Sequence, residues 1–204
     1  MANEKHQTVL SELKELKNEL IGTNISWMLF KKSNQDFDSE KSEIVRAEIN
    51  KRRLGMMMRH TQDVLLYDAV MRLCRMNQTS ADCVTLSSLF STCRELIGDD
   101  DNLNQWKALN SRKAKLQSCD WLKEARDFRD SYLGHKLRDP RVTEGPFYSG
   151  IDNQIDELSE LINGVAKIVH DNQLPENWRE GSTELLADKF WACFTLGLFS
   201  KPPS

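Results

Sequence analysis

Glycine and proline are scarce: nine and five of them interrupt 204 residues, and two of the prolines lie in the closing KPPS. So few chain-breakers exclude a fold of many short strands and tight turns, and they favour long helices. Cysteine is sparse as well. Cys74, Cys83, Cys93, Cys119 and Cys193 form an odd set with no C-x-x-C spacing. That pattern excludes a disulfide framework and a structural zinc site. It predicts a reducing, cytoplasmic compartment in which Cys acts as a small apolar residue. Long hydrophobic runs are also missing. The longest, FWACFTLGLF at 190–199, is about half the ~20 residues that a membrane helix needs, so no membrane partner is expected. The N-terminal stretch, rich in Lys and Glu, does not read as a secretory signal. There is no Gly-rich phosphate loop, no calcium-loop order of acids and no Cys–His zinc spacing, so neither a metal nor a cofactor is expected.

What is present is ordinary in bulk and uneven in detail. Hydrophobic residues make up 39% and charged residues 29%, values of a globular chain rather than a disordered one. Net charge is −3, yet residues 112–141 carry nine bases against five acids. A locally basic strip on an acidic protein can meet a phosphate backbone, or it can be a solvated helix face.

Apolar spacing of three and four recurs along the chain. Val9, Leu10, Leu13, Leu16 and Leu20 predict a helix over 5–33, with GTN at 22–24 as a possible bend. A second, very long helix is expected over 39–76, with Gly55 its weak point. Thr85 reads as the N-cap of a helix over 86–97, with Gly98 as its stop. A fourth is expected over 102–133, with Gly134 beyond its end. Ile151, Ile155, Leu158, Leu161, Ile162, Val165, Ile168 and Val169 mark a cleanly amphipathic helix. Residues 172–204 read as a loop and a closing helix. No stretch alternates like a strand. The expectation is one all-α domain over 1–204, an up-and-down bundle of about five to six helices.

The stretch RDSYLGHKL, residues 129–137, carries the chemistry. An Arg followed by His after four to six residues is expected about 0.8 times by chance in a chain of this composition. Requiring Asp, Asn or His directly after the Arg lowers that to about 0.1. The pair Arg53 and His60 fails this test, because Leu54 follows the Arg; Arg129, Asp130 and His135 pass it. RNA supplies its own nucleophile, the 2′-hydroxyl. Histidine titrates near pH 6.5 and can remove that proton or protonate the leaving 5′-oxygen. Arginine stays cationic, and its fork matches phosphate oxygens as charge builds on them. One histidine cannot stand on both sides of a phosphorus, so a homodimer placing two Arg–His pairs across one cleft is the economical solution. Asp130 can orient Arg129 or stabilise protonated His135. Arg126, Lys136 and Arg138 are the bases expected to hold the RNA backbone.

These residues resemble the HEPN superfamily, and more narrowly the abortive-infection U-type HEPN proteins. The resemblance rests on R-D-x-x-x-x-H near the end of a long helix. It also rests on the order of ELKELKNELI (12–21), RHTQDVLLYDAVMRLCRM (59–76), TLSSLF (85–90), WLKEARDFRDSYLGHKL (121–137) and IDNQIDELSELINGVAKIV (151–169). It implies a helical bundle that dimerises about the motif helices. It further implies a metal-independent endoribonuclease of phage defence or of a toxin–antitoxin pair, with RNA and an antitoxin as partners. By the motif, Arg129 and His135 carry over as catalytic and Asp130 as the polar companion, a position more often Asn in the superfamily. The alternative function is a catalytically silent module that uses the same cleft to bind nucleotide, RNA or protein.

Overall fold

The computed structural model describes residues 2–35, 40–51, 54–78, 82–98, 100–135, 147–175, 178–179 and 186–190. The protein is all-helical. Its helices are α1 (Ala2–Gln35), α2 (Glu40–Lys51), α3 (Gly55–Asn77), α4 (Leu86–Arg94), α5 (Asp100–Gln117), α6 (Asp120–His135) and α7 (Phe147–Ile168). Residues 186–190 are helical as well.

Among the described residues the helices outnumber the five to six expected, because two long periodic segments are each cut. The second expected helix breaks between Lys51 and Gly55, and α3 starts at the glycine that marked the weak point. The fourth breaks after Gln117, at Ser118 and Cys119. There the Cys119 amide tightens onto the Leu116 carbonyl at 3.3 Å, while the Cys119 carbonyl accepts from Leu122 and Lys123. Cys119 therefore acts as the N-cap of α6, and Asp120 lies where a helix N-terminus favours negative charge. In contrast, α1 stays helical across GTN at 22–24. Thr23 and Asn24 are both buried there, and Thr23 Oγ1 returns a hydrogen bond to the Glu19 carbonyl at 2.8 Å.

The chain forms two compact units, and the division falls within α1 and α3. The first unit is Met1–Thr23 with Val70–Pro175. Its core collects Val9, Leu13, Leu16 and Leu20 of α1; Leu73 and Met76 of α3; Leu86, Leu89, Phe90 and Cys93 of α4; and the Ile and Leu stripe of α7. The amphipathic spacing of α7 is the cause. Every apolar position read from the sequence, Ile151 to Val169, is buried. α7 packs chiefly along α5, and Gly164 permits the approach: a Cβ there would stand 2.6 Å from Leu109. On the same pair of helices the Arg112 fork donates to both oxygens of Glu157, at 2.7 and 2.9 Å, and meets Glu160. α4 starts as expected. The Thr85 hydroxyl accepts from the Ser88 amide at 3.2 Å and the Ser88 hydroxyl accepts from the Thr85 amide at 3.0 Å, a reciprocal capping box. It stops earlier than expected, at Glu95, whose N–H closes back on Thr92 at 3.2 Å; Gly98 is not needed.

The second unit is Asn24–Ala69 with Glu176–Ser204. Ser26 of α1 donates to Asp68 of α3 at 2.6 Å, and Gln62 donates to the Ser33 carbonyl at 3.3 Å. Lys32 pairs with Asp188 at 3.0 Å. Trp27 and Met58 are buried, whereas Met56 and Met57 are exposed rather than packed. No described helix is long and apolar enough to cross a membrane.

Candidate functional site

α6 carries the motif. Leu122 and Ala125 are fully buried and hold the helix to the core of the first unit. Trp121 lies against Gly150 of α7 so closely that a side chain at 150 would collide with its ring. Arg126, Phe128 and Arg129 are half-buried along the helix. Arg126 and Arg129 are one turn apart, on adjoining positions of one face.

α6 extends through Gly134 to His135, two residues further than the glycine suggested. Positions 129 and 135 thus belong to one helix, about 9 Å apart along its axis and about 120° apart around it. Asp130 and His135 lie within the helical backbone of α6, and their side chains fall outside the described residues. Lys136 and Arg138 also lie outside the described residues.

Arg126, expected at the RNA backbone, has an interior partner. Its Nη2 donates to the Asn77 carbonyl at 3.2 Å. Gln117 Nε2 donates to the same carbonyl at 3.3 Å and to Ser87 Oγ at 3.1 Å. Asn77 ends α3, so its carbonyl is among those a helix C-terminus leaves without an intrahelical donor. A cation is favoured there because those carbonyls carry partial negative charge. The Asn77 side chain is itself buried and donates to the Leu73 carbonyl at 2.9 Å. One helix end is thereby fastened to the junction of α5 and α6.

A second charged cluster reinforces α3. Arg72 and Arg75 both reach across to Glu19 of α1, Arg72 at 2.9 Å and Arg75 at 2.5 Å. Gly22 makes room, since a Cβ there would meet the Arg72 guanidinium at 2.9 Å. His60 is exposed. Sequence reading missed Asn77 and Gln117 altogether. The only signal was an Asn at the junction between helix and loop, a residue common at helix ends. Among the described residues no three His, Cys, Asp or Glu side chains converge as a metal site would require.

Compared with known proteins, residues 7–181 match the family model HEPN_AbiU2, described as AbiU2. No curated protein and no solved structure matches.

Proposed function

We propose, because the chain belongs to the AbiU2 family of HEPN proteins, that it is a metal-independent endoribonuclease working as a homodimer in abortive infection or a toxin–antitoxin pair. Arg129 is the electrostatic catalyst at the phosphate, His135 the acid–base residue and Asp130 its polar companion. Lys136 and Arg138 hold the RNA backbone beside them.

The observation that carries this reading is the joint placement of positions 129 and 135 on α6, inside the matched span. Their separation around the helix argues for two copies. One helix does not bring both positions to one point, whereas two antiparallel or crossed copies of α6 can offer four groups to one linkage. Position 135 also lies in the last helical turn. The partial negative charge at a helix C-terminus favours a cation, which suits a residue that must hold a proton and release it. The attack needs no metal: the 2′-hydroxyl displaces the 5′-oxygen, leaving a 2′,3′-cyclic phosphate and a free 5′-hydroxyl. Arg129 meets the negative charge that grows on the phosphoryl oxygens.

Substituting Arg129→Ala or His135→Ala tests the reading. Each should lower the cleavage rate by about 10²-fold or more and leave the dimer intact by sedimentation. Cleavage retained in the double variant would remove the proposal. RNA binding that weakens steeply with salt, without any cleavage, would instead identify the silent binding module.

A further inference from the structure

We infer that Arg126 is a positioning residue, which sets the rotation of α6 about its axis and so aims Arg129, and not a phosphate ligand. The inference rests on the nuclease reading only where activity is measured. The Arg126 guanidinium spans from α6 to the end of α3, donating to the Asn77 carbonyl at 3.2 Å. Gln117, just before α6, donates to the same oxygen at 3.3 Å. Two donors from opposite sides of the α5–α6 junction on one buried carbonyl fix both where α6 begins and how it is turned. Residue 129 follows 126 by three positions, so any rotation allowed at 126 is passed directly to 129.

The anchor is itself immobilised. Asn77 is 1% exposed, and its Nδ2 is tied to the Leu73 carbonyl at 2.9 Å. Within the five residues before it, Leu73 and Met76 are fully buried, and Arg72 and Arg75 are held by Glu19 of α1. A carbonyl on so constrained a helix end is a fixed point. The charged donor adds strength, since hydrogen bonds from ionised groups are about twice as strong as neutral ones.

The two roles give opposite signatures in the full-length protein. Arg126→Ala should speed amide hydrogen exchange in residues 120–135 by about tenfold or more, with 151–168 unchanged. On an RNA substrate it should lower kcat by about tenfold or more, leave KM within about twofold, and leave the slope of log affinity against log salt unaltered. Arg126→Lys, which can still donate to the carbonyl, should recover part of the rate. Gln117→Ala, a milder loss, should move the same quantities in the same direction, and it serves if Arg126→Ala does not fold. A phosphate ligand predicts the reverse: a salt slope smaller by about one, a raised KM, unchanged kcat and unchanged exchange in α6. That result overturns the inference. If the wild-type protein cleaves no RNA, the nuclease reading fails on its own, and exchange decides. Unchanged exchange in α6 refutes the positioning role, and faster exchange confined to α6 supports it.

Discussion

At the scale of single residues, burial and charge make claims that titration can check. Lys17 of α1 pairs with Asp171, just beyond α7, at 2.7 Å and also meets the Asn172 carbonyl. The hydrogen bond from Lys17 pulls the Asp171 carboxyl below its ordinary range, against the opposing effect of burial. A carboxylate depressed in the folded state stabilises the fold above its unfolded pKa and loses that contribution as pH falls through the folded value. Wild type should therefore unfold at a higher temperature than Asp171→Asn near pH 7. The gap should close as pH drops below about 3.9, the ordinary value for Asp. A gap that widens in acid would contradict the pairing. Cys93 tests the interior from another side. It is fully buried, and desolvation raises its thiol pKa to about 11. The thiolate is the reactive form. A thiol reagent at pH 7.5 should modify half-exposed Cys83 and Cys119 well before Cys93. Early labelling of Cys93 would show that α4 is not packed as described.

At the scale of helices, α7 organises the first unit, and truncation should show it. Ile155 is fully buried, so Ile155→Ala should cost about 2–5 kcal/mol in denaturant unfolding, whereas an exposed neighbour such as Asn153→Ala should change little. Equal effects would mean that the α7 stripe is not core. This stripe was fully legible in the sequence because Ile and Leu at helical spacing have one way to be buried. The Thr85 cap was legible for a similar reason, since its partner lies three residues away. The break at Ser118–Cys119 was not, because neither Gly nor Pro marks it; a backbone carbonyl and a tightened turn make the boundary. The Glu19 pairs with Arg72 and Arg75 were hidden for another reason. Helical periodicity ranks partners three or four residues off and says nothing of a neighbouring helix. Of the site, the sequence placed Arg129 and Asp130 in the last turns of a helix and His135 just beyond it, whereas α6 runs through His135; it could not foresee Asn77 and Gln117 behind Arg126. Their role depends on where α3 ends in space.

At the scale of the whole molecule, charge and assembly carry the account. A chain of net charge −3 does not attract RNA by bulk electrostatics, so any attraction must be local to the basic stretch at 112–141. Part of that stretch already has partners within the protein: Arg112 pairs with Glu157 and Glu160, and Arg126 donates to the end of α3. Fewer phosphate contacts than the raw count of bases remain, which is compatible with a protein that positions a few nucleotides for chemistry rather than coating a long polymer. The central claim is that two copies of α6 perform acid–base cleavage without a metal. The most direct measurement is the chemical identity of the RNA ends after incubation with the purified protein in excess EDTA. The account predicts 2′,3′-cyclic phosphate and 5′-hydroxyl ends, formed by wild type and not by the Arg129→Ala or His135→Ala protein. Intact RNA, or ends bearing 5′-phosphate and 3′-hydroxyl, would contradict it.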